Sequence, residues 1–360
     1  MTRPAHAIID LDAIRHNYQQ AKTLAPNAKA IAIVKANAYG HGAIKVAQAL
    51  APQADAFGVA CLEEAIELRE SGISNPILLL EGVFDADELA MVDQHQLSIA
   101  VATQRQLNWL LNAKLSHSLD VFLKMDSGMH RLGFAPEQIQ MAYQQLRQCA
   151  SVNRIIMMTH FAQADANTAT VTQQQLQQFQ QASAGIDAPC SLANSAGTLA
   201  YTQTHQQFIR PGVMLYGATP MGTAHDTHSL LKPAMSLRSA IFSTRDLAAG
   251  EAIGYGGRFV CDQPTRVGVV AMGYADGYPR HAVDGTPVWV DGQASRIIGR
   301  VSMDMLTVDL THLPNVQEGA PVELWGQHIS ANTVADHSDT IAYTLFTGIT
   351  RRVPLHYINQ

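Results

Sequence analysis

Between residues 30 and 215 the sequence alternates two patterns. Short apolar runs recur at Ala30–Val34, Ala56–Ala60, Pro76–Leu80, Ser98–Ala102, Leu119–Met125, Arg154–Thr159, Cys190–Ala193 and Phe208–Leu215. Amphipathic stretches at helical spacing, such as Leu62–Arg69 and Pro136–Cys149, lie between most of them. A short unbroken apolar run reads as a parallel strand buried on both faces, and the amphipathic stretch after it as a crossover helix. Eight such units predict an α/β fold built on a (β/α)8 barrel of the TIM type. A doubly wound open sheet shares this periodicity, so the pattern leaves closure open.

The pattern changes near Leu231. Beyond it the chain is rich in β-branched residues, glycines and turns, as in TRVGVVAMGYADGYPR and GTPVWVDGQASRIIGRVSMDMLTVDL. Asp284-Gly285 and Asp291-Gly292, each flanked by apolar residues, are hairpin signals. The expected organisation is a barrel over residues 12–230 and a mostly β domain over 231–360, with a short helix near Ile341–Gly348. The glutamine-rich segment Gln173–Gln181 keeps Leu176 and Phe179 at helical spacing and reads as a solvated helix.

Composition narrows the function. The formal net charge of -6 gives no reason to expect a nucleic-acid partner, which attracts basic surfaces. The histidines do not cluster at metal-ligand spacing. Cys61, Cys149, Cys190 and Cys261 form no CxxC pair and read as free thiols. No apolar stretch is long enough to span a bilayer, and the N-terminus lacks the core of a signal peptide, so the cytoplasm is the default compartment.

Lys35, in AIAIVKANAYGHG, directly follows a strand candidate. In a barrel that end of the strand is where active sites lie. An amine half-buried there sheds its proton readily and can condense with an aldehyde. The bland alternative is a surface lysine at a strand end.

The segment VKANAYGHG closely resembles the cofactor-lysine motif of alanine racemases, fold-type III pyridoxal-phosphate enzymes. Further segments match in order: LKMDSGMHRLGF around Arg131, THFAQAD around His160, NSAG around Ser195, RPGVMLYG around Arg210, GYGG around Tyr255, GYADGYPR around Tyr274 and GRVSMDM around Met303. One such motif would be weak; the ordered set covers essentially the whole chain. The resemblance implies a barrel followed by a β domain, with an opening strand near Ala5–Leu11 that pairs with the latter (residues 1–11).

It also implies roles. Lys35 holds pyridoxal 5'-phosphate. Asn194, Ser195, the amides near Gly212 and Val213, and the hydroxyls of Tyr39 and Tyr343 serve its phosphate, consistent with the usual phosphate site after barrel strands seven and eight. Arg210 faces the pyridine nitrogen. It can only donate hydrogen bonds, so the nitrogen stays unprotonated and the ring is a weaker electron sink.

Racemisation needs acid–base groups on both faces of the α-carbon. Lys35 serves one face, and Tyr255 of the partner subunit the other. A phenol that is to work at neutral pH needs about 4 kcal/mol of preferential phenolate stabilisation. In the family this comes through a chain of tyrosine, histidine and arginine, here Tyr255, His160 and Arg210. Arg131 and the Met303 amide bind the substrate carboxylate. Lys124 matches a lysine that is carbamylated in several family members; the plain alternative is a strand-end lysine paired with a carboxylate such as Asp126. Tyr274 and Tyr343 match an inner gate, and Asp165 and Arg280 the corridor outside it. The implied assembly is a homodimer with shared active sites.

Other readings are a serine or broad-specificity racemase, a fold-type III decarboxylase and a non-catalytic pyridoxal-phosphate carrier. Decarboxylases place a carboxylate at the pyridine nitrogen and use a cysteine near the C-terminus, whereas this chain has Arg210 and no cysteine after Cys261. Carriers are shorter single barrels.

Overall fold

The computed structural model describes residues 3–166, 168–221 and 229–360. The chain opens with β1 (His6–Asp10), and helix Leu11–Leu24 follows without a loop. Asp10 makes that junction possible, because its carboxylate accepts the Asp12 and Ala13 amides at the helix start. Eight parallel strands then alternate with helical segments: β2 (Lys29–Ile33), β3 (Ala56–Val59), β4 (Ile77–Leu79), β5 (Ser98–Val101), β6 (Leu119–Lys124), β7 (Val152–Met158), β8 (Cys190–Ser191) and β9 (Phe208–Ile209). β2 pairs with β3 on one side and with β9 on the other, Lys29 lying opposite Phe208. The sheet therefore closes, which decides between the barrel and the open sheet.

Each apolar run contributes a barrel strand, but the last run is shorter as a strand than it reads. Only Phe208–Ile209 is extended, and Val213–Tyr216 forms a 3-10 turn. Pro211 has no N–H with which to continue the ladder. The run is apolar because all of it is buried. The glutamine-rich segment lies within helix Thr170–Ala182, which buries Leu176 and Phe179.

The second unit is the β domain. Its strands are β10 (Met235–Leu247), β11 (Ala252–Ile253), β12 (Phe259–Val260), β13 (Thr265–Val270), β14 (Pro287–Val290), β15 (Gln293–Arg296), β16 (Leu306–Asp309), β17 (Pro321–Trp325) and β18 (Leu355–Ile358). β1 sits inside this sheet, antiparallel to β10 and parallel to β18. Asp291 and Gly292, with φ of 46° and 79°, form the two-residue turn between β14 and β15. Asp284-Gly285 does not join two strands. It turns the chain into β14, while Asp284 accepts the Gly299 amide and pairs with Arg258. The short C-terminal helix spans Ala342–Thr347.

Asp276 ties the two ends of the chain to the β domain. Its side chain is fully buried; it accepts the Gly273 amide at 2.9 Å and pairs with Arg3 and Arg352. Replacing Asp276 by asparagine removes the charge that both arginines share. Stability should fall by about 2 kcal/mol, the range of a charge-assisted hydrogen bond lost at a partly screened site. Urea unfolding of the two proteins measures this, and an unchanged midpoint would refute it.

Candidate active site

The C-terminal ends of the barrel strands open onto a cavity of about 830 Å³. Lys35, Tyr39, Lys124, Arg131, His160 and Arg210 line it, with Asn194, Ser195, Gly212, Val213 and Tyr343. Residues spread over about 300 positions of sequence meet here because they sit at or just beyond the ends of β2, β6, β7, β8 and β9 or, for Tyr343, on the C-terminal helix.

Lys35 leaves β2 into an unusual turn. Ala36, Asn37, Ala38 and Tyr39 are all left-handed, with φ of 52°, 54°, 52° and 52°. A left-handed turn of non-glycine residues costs roughly 1–2 kcal/mol per residue. Several hydrogen bonds hold it. The Glu64 carboxylate accepts the Ala36 amide at 2.7 Å and the Ala60 amide at 2.8 Å. Asn37 accepts the Ala43 amide at 2.8 Å. His41, fully buried, directs Nδ1 at the Ala38 and Tyr39 carbonyls. Nothing in the sequence pattern separates Glu64 from the other acids of its helix.

Beyond β8 and β9 lies a cradle of small groups. The Ser195 hydroxyl accepts the Gly212 amide at 2.8 Å. A Cβ on Gly212 would come within 2.8 Å of the Tyr39 hydroxyl, so any side chain there would displace that hydroxyl. Asn194 caps helix Ser195–Ala200, its Oδ1 accepting the Gly197 amide at 2.9 Å. Burial pushes the Tyr39 phenol up to about 12 and raises the Tyr343 phenol further, helped by Tyr39 and Asp165. Both phenols therefore stay protonated as donors. Hydroxyls, amides and a helix start of this kind suit a phosphate group.

Arg210 is 3% exposed. Nη1 donates to the Ser191 carbonyl and hydroxyl, both at 2.6 Å, and Nη2 to the Thr159 and Leu192 carbonyls at 2.6 and 3.2 Å. Burial brings its pKa down to about 10, which leaves it a cation at neutral pH. His160 is held well below its usual range by burial and by the charges of Arg210, Lys124, Arg131 and Lys35, so it is neutral. Burial, then Arg210, Arg131 and Lys35, push Lys124 down to about 8, with Glu81 acting the other way. Asp126 does not pair with Lys124. Its Oδ1 accepts the Gly128, Met129 and His130 amides at 3.0–3.1 Å and so shapes the loop that carries Arg131.

The β-domain residues lie elsewhere. Tyr255, Met303 and Tyr274 are 69%, 52% and 37% exposed, and none is among the described residues that line the cavity. Their turns adjoin: the Ala275 amide donates to the Met303 carbonyl at 2.9 Å, and Arg258 donates to the Gly299 carbonyl at 2.8 Å. Asp165 and Arg280 are exposed. Among the described residues no cluster of His, Cys, Asp and Glu could hold a metal ion, and no helix is long and apolar enough to cross a membrane.

The buried imidazoles set a pH limit. Burial lowers His41 to about 4, and His160 is lowered as well. Unfolded imidazoles take up protons near 6.5. Below that pH the unfolded chain binds more protons than the folded one, so stability is lost as pH falls from about 6.5 towards 4. Each such group costs up to about 1.4 kcal/mol per pH unit. The urea midpoint should be lower at pH 5 than at pH 7, and His41→Gln should shrink the difference. Equal drops in both proteins would remove His41 from this account.

Two family models match the chain: the alanine racemase N-terminal domain over residues 9–220 and the alanine racemase C-terminal domain over 234–357. The alanine racemase of Pseudomonas taetrolens is 52% identical over 358 residues, 99% of this chain and 100% of that protein. The catabolic alanine racemase of Pseudomonas putida matches to the same extent. The crystal structure of the biosynthetic alanine racemase from Pseudomonas aeruginosa superposes with a TM-score of 0.97 at 47% identity, covering 99% of this chain and 100% of that one. With both domains matched and the fold shared, this chain belongs to the alanine racemase family, a family of pyridoxal-phosphate-dependent isomerases.

Proposed function

We propose that this chain interconverts L- and D-alanine by moving the α-proton between two bases on opposite faces of the substrate. One observation carries the reading: a strand-end lysine, a hydroxyl-and-amide cradle and a buried arginine share one cavity. Those groups fit pyridoxal 5'-phosphate. Lys35 would be the amine for its aldehyde, and Tyr39, Ser195, Tyr343 and the Val213 amide would be donors for its phosphate, joined by the Gly212 amide, which here donates to the Ser195 hydroxyl. Asn194 acts there by capping the helix that presents Ser195. When bound, the cofactor withdraws electrons from the α-carbon and so acidifies its hydrogen.

Arg210 can only donate, so a ring nitrogen facing it stays unprotonated. That moderates electron withdrawal and favours return of the proton to the α-carbon over transamination. Arg131 offers a planar fork to the substrate carboxylate, with the partner's Met303 amide as second donor. Lys124 has a depressed pKa among cations. Its neutral amine is suited to carbamylation by carbon dioxide, which would give Arg131 an anion to orient it.

Lys35 Nζ holds the proton on one face and the partner's Tyr255 hydroxyl on the other. The exposure of Tyr255, Tyr274 and Met303 away from their own chain's cavity supports a homodimer in which the β domain of one subunit covers the barrel mouth of the other. The partner's Tyr274 and Tyr343 then form a gate that excludes bulky side chains, with Asp165 and Arg280 along the corridor outside. Neutral His160, next to the Arg210 cation, belongs with the partner's Tyr255. No hydrogen bond joins His160 to Arg210 among the described residues, so their coupling in this chain is electrostatic.

Tyr255→Phe separates the two faces. In heavy water it should lower α-proton exchange from L-alanine by about 100-fold or more, the usual contribution of a general base, with much less effect on D-alanine. Equal losses on both sides would contradict the assignment.

The shared site gives a second test. Lys35→Ala and Tyr255→Phe homodimers should each be nearly inactive. Random subunit exchange of equal amounts makes about half of the dimers mixed, each with one intact site, so activity should recover to about a quarter of wild type per chain if sites are independent. Two different tags copurifying establish exchange. Background activity after proven exchange would mean that each chain completes its own site.

A further inference from the structure

The left-handed turn after Lys35 raises the question of what keeps it folded. Its four residues each have a Cβ, and only Asn37 is of a type that visits φ near 50° readily. Such a conformation persists only where the surroundings over-determine it. Most of its hydrogen bonds are internal to residues 34–43: Gly40 amide to Ala36 carbonyl, Gly42 amide to Asn37 carbonyl, Ala43 amide to Asn37 side chain, and His41 to two carbonyls. Glu64 is different. It stands on the helix after β3, and its two carboxylate oxygens bridge the first residue of the turn to Ala60 at the end of the neighbouring strand.

We propose that Glu64 is a positioning residue, whose carboxylate staples the left-handed turn and so holds Lys35 and Tyr39 towards the cavity. Lys35 immediately precedes the stapled amide. Tyr39 ends the turn, with its hydroxyl beside Gly212 and Ser195. Without the staple, Ala36 relaxes to a right-handed or extended conformation, and the turn no longer delivers both side chains to one cavity. Glutamine at position 64 keeps one acceptor and turns an N–H towards the other amide, so it satisfies only one of the two donors. The inference rests on the cofactor reading for one of its readouts and is independent of it for the other.

The test compares wild type, Glu64→Gln, and Glu64→Gln combined with Ala36→Gly. Glycine adopts left-handed φ without the Cβ penalty, so the second change relieves the strain that Glu64 otherwise restrains. The first readout is amide hydrogen exchange in the chain freed of cofactor. Glu64→Gln breaks one end of the bridge, so exchange should speed about 10-fold at Ala36 or Ala60, whichever amide meets the glutamine N–H, and rise through residues 36–42, with the other barrel strands unchanged. The second is titration of the same proteins with pyridoxal phosphate, followed by absorbance. Affinity should fall about 10-fold in Glu64→Gln and largely return in the double variant.

Unchanged exchange at both Ala36 and Ala60 in a folded Glu64→Gln protein would overturn the proposal, as would weakened affinity that Ala36→Gly fails to restore. If Glu64→Gln does not fold, Ala36→Val replaces it. A β-branched residue resists left-handed φ, so the same losses should appear with Glu64 intact, and wild-type affinity in that variant would overturn the proposal. Wild-type protein that ignores pyridoxal phosphate would sink the cofactor reading while leaving the exchange result to decide on Glu64.

Discussion

A guanidinium buried without a carboxylate is the constraint around which the barrel mouth is arranged. Moving a charge out of water is costly unless hydrogen bonds replace the solvent. Arg210 finds them at the ends of β7 and β8, where Thr159, Ser191 and Leu192 expose carbonyls that parallel strands cannot all use within the sheet. The cation that results biases its neighbours. His160 is kept neutral and Lys124 is driven towards its uncharged form, with burial the larger cause in each case. A cavity so biased attracts anions, and both a phosphate and a substrate carboxylate are anions.

Apart from Glu81, which favours the Lys124 cation, several carboxylates act on loops rather than on these cations. Glu64 takes up the Ala36 and Ala60 amides, Asp126 the amides before Arg131, and Asp276 the Gly273 amide beside Tyr274. In each case a carboxylate satisfies backbone donors that an irregular loop leaves without partners. The loops are thereby fixed while the cavity keeps its positive character. The Arg131 loop shows the same economy in its backbone. Gly133, at φ of 140°, lets the chain return to Asp126 so closely that a Cβ would lie 2.5 Å from the Asp126 amide.

Much of this was legible in the sequence, for identifiable reasons. Strands buried on both faces must be apolar throughout, so β2 to β7 announce themselves. β9 is overread, because burial makes a run apolar whether or not it is extended, and Pro211 stops the strand early. Closure needed the β2–β9 pairing, a contact between ends about 180 residues apart that periodicity cannot register. Lys35, Ser195, Gly212 and Arg210 were found through motifs, and the structure brings them to one cavity. Glu64 was not, since an acid in the first turn of a helix is expected for the helix dipole alone. The left-handed turn was equally hidden: Ala-Asn-Ala-Tyr contains no glycine to signal positive φ.

The placement of strain follows from the same logic. A right-handed turn after β2 would also put Lys35 and Tyr39, four residues apart, on one face, but the chain would leave the strand along a different path. The left-handed turn sets where that face points, and here both the amine and the phenol line the cavity. Its cost of several kcal/mol is tolerable only on a scaffold that cannot yield, and the closed barrel provides one. Val34 is hydrogen-bonded to β3 through the Gly58 carbonyl, and the aromatic rings of Tyr39, His41 and Tyr216 stack beneath the turn at centroid separations of 4.5–4.9 Å. Rigid strand before, packed rings around it and the Glu64 carboxylate beside together restrain the turn.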